Sequence, residues 1–200
     1  MYDSGGAPCV KDDLLSLAIC KPQIRRTARR GDRVYGFGGN NDFPPNRMIF
    51  MARITDRLAA GRYYELSEYA DRPDAIYTRD VAGDLVLRDD AIFHVGVTDH
   101  VRRKDIGESP EWANANVLVS DEFRYFGHLA DNEWRRKYPM LAAAVKNLGQ
   151  GHLVRHGPEV EKQLDRLWMD AFKQHDRVQI GRPTLTAAES SGRVSGGCKK

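Results

Sequence analysis

The sequence predicts an α+β fold, in which a strongly bent antiparallel sheet or a small open barrel is followed by C-terminal helices. About six or seven short strand candidates occur, mostly in the first 126 residues, and two helix candidates close the chain. Strands and helices do not alternate, as the βαβ units of a doubly wound sheet would require. An antiparallel sheet with helices on one side fits this order better.

The first half of the chain contains four elements in quick succession. Residues 14–20 are apolar and predict a buried strand that ends before Pro22, because proline cannot donate to a ladder. Residues 23–30 predict a basic turn or a helix of one to two turns. A strand over 32–39 follows and ends in glycines, and 47–55 is the clearest strand, with both faces at least partly covered.

The middle of the chain has weaker patterns. Residues 59–69 have apolar side chains at helical spacing. Residues 75–87 predict a hairpin around a Val-Ala-Gly-Asp turn. Further strands are expected at 91–97, at 117–120 and from Phe123 onward.

Two helices are expected at the end of the domain. Residues 132–148 end at a glycine, and the helix over 158–174 begins with a proline at its first turn. Its apolar residues recur at the spacing of a packed face: Val160, Leu164, Leu167, Trp168 and Ala171. We therefore expect one domain over 1–175, of which 131–175 is helical, and a disordered tail over 176–200.

Composition excludes several classes of protein. Lys and Arg number 31 and Asp and Glu 28, a net charge of only +3, so a basic feature must be local. The chain has no apolar run near the roughly 20 residues of a membrane span, and its three cysteines lack metal-ligand spacing. Its first residues include neither a basic nor an apolar stretch, so we expect no signal peptide. We expect a cytoplasmic protein without membrane attachment, cofactor or metal. His152 and His156 have the spacing of a metal pair on a helix, but neighbouring glycines and a proline argue against that helix.

The strongest local charge lies between Lys21 and Arg33. This segment has six cations against one carboxylate, Asp32, a local net charge of +5. The cations are Lys21, Arg25, Arg26, Arg29, Arg30 and Arg33. Guanidinium groups pair with phosphate oxygens, so the cluster predicts a phosphate or nucleic-acid contact. A solvated basic turn is the alternative.

A few other side chains are candidates for chemistry. Asp3, Lys21 and Asp121 are polar groups at strand ends and form the candidate catalytic set. Cys20 is a further possible nucleophile, because a neighbouring ammonium favours the thiolate, although a cysteine at the end of an apolar strand is ordinarily a small core residue. Tyr35 and Tyr125 could stack on a base, or serve as ordinary strand residues.

Several motifs together resemble a bacterial and phage family, the nucleotide modification associated domain family, and in particular its second type. They are DSGGAPCV, LLSLAICKPQIRRTARRGDRVYGFGG, NRMIFMARIT and NVLVSDEFRYFG, and they cover about 2–127. The resemblance implies a link to hypermodified DNA bases and to phage–host conflict, without a settled reaction. A weaker resemblance is to small barrels of the PUA and EVE type, which bind nucleic acid and whose Gly-Asp turn leads into a strand, as GDRVYG does here.

These observations lead to one expected function and two alternatives. We expect a nucleic-acid or nucleotide-binding protein of a DNA base-modification system. Its phosphate and base contacts are predicted at Lys21, Arg25, Arg26, Arg29, Arg33, Tyr35 and Tyr125. Its partners would be DNA or a nucleotide, together with neighbouring base-modification enzymes. The alternatives are an enzyme that modifies a nucleobase or nucleotide, and a protein-interaction module that uses an exposed apolar stripe on 158–175.

Overall fold

The computed structural model describes residues 3–39, 44–149 and 151–184. Its strands are β1 (Cys9–Lys11), β2 (Leu14–Leu17), β3 (Arg33–Phe37), β4 (Met48–Arg53), β5 (Asp56–Leu58), β6 (Tyr77–Arg79), β7 (Leu85–Leu87), β8 (Val117–Ser120) and β9 (Glu122–Tyr125). Its α-helices are α1 (Pro22–Thr27), α2 (Asp99–Ile106), α3 (Trp134–Lys137), α4 (Pro139–Leu148) and α5 (Pro158–Gln174). Short 3-10 turns lie at Arg62–Glu65, Ser67–Tyr69 and Gly127–Leu129.

The strands form three antiparallel sheets. One has the order β1-β2-β8-β5, the second β3-β4-β9, and the third is the β6-β7 hairpin. The chain passes between the first two sheets at β4–β5 and again at β8–β9. Over the described residues these sheets do not close into a barrel. The predicted α+β class is confirmed.

The central strand β4 is buried on both faces, as its apolar sequence predicts. Its neighbour β3 approaches it closely at Gly36, where an added Cβ would lie 2.0 Å from the ring of Phe50. Only glycine allows this approach, so Gly36 fixes the distance between the Phe50 ring and the β3 backbone.

The C-terminal helices cover the β3-β4-β9 sheet. The predicted face of α5 is packed, with Leu164, Leu167, Trp168 and Ala171 buried. Trp168 meets the ring of Tyr35 edge to face at 6.2 Å between centroids. A packed stripe offers little surface to a partner protein, which counts against the interaction-module alternative. No helix of the described residues is long and apolar enough to cross a membrane.

Several segments differ from their predictions. The helix predicted over 132–148 is divided into α3 and α4, and β1 and β5 are not predicted from the sequence. Residues 91–97 form an irregular loop instead of a strand, with His94 at a φ of 60°. The helix α2 follows it, begins at the capping residue Thr98 and was not predicted, because its mostly polar sequence lacks an apolar stripe. Residues 59–69 form two 3-10 turns instead of one helix.

The chain after α5 continues along the edge of β9. The Tyr125 amide donates to the Val178 carbonyl at 2.8 Å, and the Ile180 amide donates back to Tyr125 at 2.8 Å. A single parallel bridge thus joins Gln179 to Tyr125, in the stretch predicted as the start of a disordered tail. The remainder of that predicted tail lies outside the described residues.

A buried ion pair joins α1 to α2. Arg25 is 0 % exposed, and its Nη2 donates to Asp105 Oδ1 at 2.6 Å. The guanidinium also donates to four backbone carbonyls at 2.7 to 3.2 Å, those of Cys20, Asp105, Asn114 and Asn116. One side chain thus satisfies the polar groups of three segments that are remote in sequence.

We predict that Arg25→Met lowers the free energy of unfolding by about 3–5 kcal/mol, because it leaves a buried carboxylate and several carbonyls without a donor. Arg26→Met is the matched control, since Arg26 is exposed and its guanidinium donates, among the described contacts, only to Gln23; its effect should stay within about 0.5 kcal/mol. Urea unfolding followed by circular dichroism measures both. Equal effects of the two substitutions would contradict the structural role of Arg25.

Candidate nucleotide site and thiol cluster

The basic segment divides into an inward and an outward part. Arg25 points into the protein and is neutralised by Asp105, so it presents no charge at the surface. Arg33 is partly exposed, but it forms an ion pair with Asp165 at 2.6 Å and lies 4.9 Å from the centre of the Trp168 ring. Of the six cations in the segment, these two are therefore occupied by the fold.

The other four cations remain at the surface. Arg26, Arg29 and Arg30 are exposed and Lys21 is partly exposed, and among the described contacts none of the four has a carboxylate partner. Asp32 accepts from the backbone amide of Arg29 at 2.9 Å and so caps a turn. The surface of this segment keeps a positive charge, smaller than the sequence count of +5.

A cleft of about 480 Å³ opens beside these cations, between α1 and β3 on one side and the α4–α5 region on the other. Lys21 lies at its rim, and its walls are largely apolar. Wall residues include Ile24, Val34, Phe37, Val145, Leu148 and Leu153. Cavities of this volume with apolar walls and a few polar groups are typical of sites for small organic ligands.

The polar groups of the cleft include a histidine and a tyrosine. His156 lines the cleft, and its Nδ1 is buried without a hydrogen-bond partner within the described part of the chain. Tyr35 also lines it, and its hydroxyl donates to the Leu164 carbonyl at 3.2 Å. Burial raises the pKa of Tyr35 to about 12, so this hydroxyl stays neutral. Tyr35 therefore offers the face or edge of its ring, while His156 offers an unused polar atom.

Tyr125, the other predicted base-stacking residue, lies inside the protein. It is 1 % exposed, and its hydroxyl donates to Asp3 Oδ1 at 2.7 Å. Thr184 donates to the other oxygen of Asp3 through its amide and its hydroxyl. Burial raises the pKa of the Asp3 carboxyl above its usual value. Asp3 and Tyr125 thus join the N-terminal segment to β9 and the chain after α5.

The three predicted catalytic residues occupy different places. Asp3 is buried beside Tyr125, Asp121 is exposed at the turn between β8 and β9, and Lys21 precedes α1. Among the described contacts no hydrogen bond or ion pair joins any two of them. The catalytic role that the sequence suggests for this set stays a prediction without a shared site.

A different cluster forms around Cys20. Its Sγ lies 3.8 Å from His94 Nε2, and His94 Nδ1 lies 3.1 Å from the Tyr77 hydroxyl and 3.7 Å from Asp105 Oδ2. That carboxylate oxygen is buried and has no hydrogen-bond partner among the described residues, since Arg25 engages the other one. Burial lowers the pKa of His94 below its usual value, so its imidazole is neutral near pH 7.

The backbone at this cluster is strained. Cys20, Lys21 and His94 have φ angles of 57°, 50° and 60°, in the left-handed region that favours glycine. Each such residue costs of the order of 1–3 kcal/mol and persists where surrounding contacts hold it, often at functional sites. Arg25 supplies one such contact, through its bond to the Cys20 carbonyl.

Only part of this cluster is predictable from the sequence. The sequence indicates Cys20 as a candidate nucleophile. It predicts a strand around His94, and it predicts no helix at Asp105. The spacing of the three residues carries no recognisable motif. The described residues contain no group of three or more side chains arranged to hold a metal ion.

Comparison with known proteins gives one match. The family model for nucleotide modification associated domain 2 covers residues 1–190, so it extends through the C-terminal helices, beyond the motifs that end near Gly127. No curated protein and no solved structure matches the chain, and the weaker resemblance to PUA and EVE barrels stays untested. The chain belongs to the nucleotide modification associated domain 2 family.

Proposed function

We propose that the protein binds a nucleotide, free or within a nucleic acid, as part of a DNA base-modification system. The observation that supports the proposal is that Lys21 lies at the rim of the cleft, in the same short segment as the exposed Arg26, Arg29 and Arg30. In this arrangement a base enters the cleft while its phosphates contact Lys21, Arg26, Arg29 and Arg30. Membership of a nucleotide modification associated family supports the choice of ligand.

The apolar walls and the unpartnered His156 nitrogen fit a planar heterocycle. Stacking of a base on an aromatic side chain contributes roughly 1–3 kcal/mol, and Tyr35 and Phe37 both line the cleft. A nitrogen without a partner gains a hydrogen bond when a base edge reaches it. Base contacts and phosphate contacts are therefore separate contributions, and they can be tested separately.

The phosphate contacts predict a moderate dependence of affinity on salt. Four cations give a slope of log affinity against log salt concentration of about −3 to −4. Binding of fluorescein-labelled single-stranded and double-stranded oligonucleotides, measured by anisotropy between roughly 50 and 200 mM salt, gives this slope. Arg29→Ala/Arg30→Ala should reduce the slope by about 2, because two charges are removed.

The control removes two positive charges elsewhere, in Arg62→Ala/Lys173→Ala. Both side chains are exposed and neither lines the cleft, so the slope should stay close to that of the unsubstituted protein. An affinity that does not change with salt, or equal losses in the two double variants, would rule out the proposed phosphate surface.

The base contact should contribute to the affinity but not to its dependence on salt. His156→Ala should weaken binding about 3- to 10-fold, the effect of losing one hydrogen bond, without changing the salt slope. His100→Ala, on the exposed side of α2, is the control and should bind like the unsubstituted protein. If His156→Ala changed the slope but not the affinity at low salt, the base would not lie in this cleft.

A further inference from the structure

Cys20 and Cys9 are in opposite chemical environments. Cys9 is buried, and burial raises the pKa of its thiol to about 12, so it is an inert core residue. Cys20 is partly exposed and lies against the Nε2 atom of a neutral histidine. Because reactivity of a thiol requires access and a means of removing its proton, only Cys20 of these two has the surroundings of a nucleophile.

The tautomer of His94 follows from its other neighbours. Asp105 Oδ2 carries part of a negative charge, has no donor in the described part of the chain and faces Nδ1. A proton on Nδ1 is attracted to this oxygen and can also be accepted by the Tyr77 hydroxyl oxygen. Nε2 is then left unprotonated and directed at the Cys20 sulfur, which is the arrangement that a general base requires.

We propose that Cys20, His94 and Asp105 form a thiol acyl-transfer centre. Cys20 is the nucleophile, His94 the general base and acid, and Asp105 a positioning residue that holds the imidazole in the required tautomer. The substrate class is an acyl compound with a displaceable group, such as a thioester, an ester or an activated amide. The 3.8 Å separation from sulfur to nitrogen is within the range of a hydrogen bond to sulfur. The 3.7 Å separation between His94 Nδ1 and Asp105 Oδ2 is longer than a hydrogen bond, and catalytic contacts of this kind commonly shorten when substrate binds.

The position of His94 against the thiol fits acyl transfer. In acyl transfer the group that accepts the thiol proton can itself protonate the leaving group, so one imidazole serves both steps. Addition to a pyrimidine ring differs, because it needs a base placed to remove a proton from the neighbouring carbon.

The Cys20 sulfur attacks the carbonyl carbon while its proton passes to His94 Nε2, and a tetrahedral adduct forms. The bond to the leaving group breaks, and His94 returns the proton to that group, which leaves a thioester on Cys20. Water or an amine then attacks the thioester carbonyl, gives its proton through His94 to the sulfur, and releases the acid or amide. An exocyclic amino group of a nucleobase is such an amine, and that last assignment alone rests on the proposed function.

The test is acetylation of the full chain by S-phenyl thioacetate in the absence of nucleic acid, so that failure of nucleic-acid binding does not affect it. Peptide mass spectrometry should find the acetyl group on Cys20 and not on Cys9. Cys20→Ser should abolish this acetylation, and His94→Gln should slow it about 100-fold, the lower end of the usual contribution of a general base. Acetylation of Cys20 at the same rate with and without His94 would overturn the proposal.

A pH profile of the unsubstituted protein keeps the test independent of whether the variants fold. The charged and titratable groups that face His94 are Cys20, Arg25, Tyr77 and Asp105. Since His94 acts as a neutral base with a lowered pKa, the rate should rise through an inflection below pH 6.5 and then level off. A rate that instead rises through the ordinary thiol value of about 8.5 would show that Cys20 reacts without His94.

The profile also tests Asp105. Its negative charge favours protonated His94, so Asp105→Asn should lower the plateau and move the inflection to lower pH. A purely structural role would lower the amount of folded protein and leave the inflection in place. An unchanged inflection would therefore remove Asp105 from the centre.

Discussion

The buried ion pair between Arg25 and Asp105 is the contact on which both candidate sites depend. It holds α1 against α2, and Arg25 also donates to the carbonyls of Asn114 and Asn116 in the loop before β8. A charge pair of this kind contributes little net stability relative to apolar residues, but the loss of one partner is costly. Its main effect is therefore geometric. By occupying Asp105 Oδ1 and the Cys20 carbonyl, Arg25 sets the direction of the remaining carboxylate oxygen and the start of α1.

The basic segment shows why a count of charges in a sequence overstates a binding surface. Six cations in thirteen residues suggest one electrostatic patch, yet a six-residue helix cannot expose every side chain. Arg25 lies on the inner face of α1, and Arg33 lies on β3, where Asp165 of α5 reaches it. The sequence could not indicate either partner, because Asp105 and Asp165 are remote along the chain and become neighbours only through helix packing.

Prediction from sequence succeeded where one periodic signal dominated. The β6–β7 hairpin, the buried β4 and the helix α5 are found close to where their apolar patterns place them. Prediction failed over 91–106. The apolar residues around His94 lie in a loop, and the polar residues that follow form α2. Phe93 is buried there as part of a core cluster that includes Ile19 and Tyr77, and Gly6 lies so close to its ring that an added Cβ would be 2.9 Å away. A tertiary contact thus decides the local structure and, with it, the partner of Cys20.

The two candidate sites contain neighbouring residues, Cys20 and Lys21. Lys21 lies at the rim of the cleft, while Cys20 contacts His94, and consecutive Cα atoms are about 3.8 Å apart. Both residues have the left-handed conformation, so the chain reverses sharply between the end of β2 and the start of α1. With negative φ angles at Cys20 and Lys21, the backbone would leave β2 in a different direction. The strain held by Arg25 therefore brings the Lys21 ammonium and the Cys20 thiol next to each other, so the proposed nucleotide cleft and the proposed thiol centre share one segment of backbone.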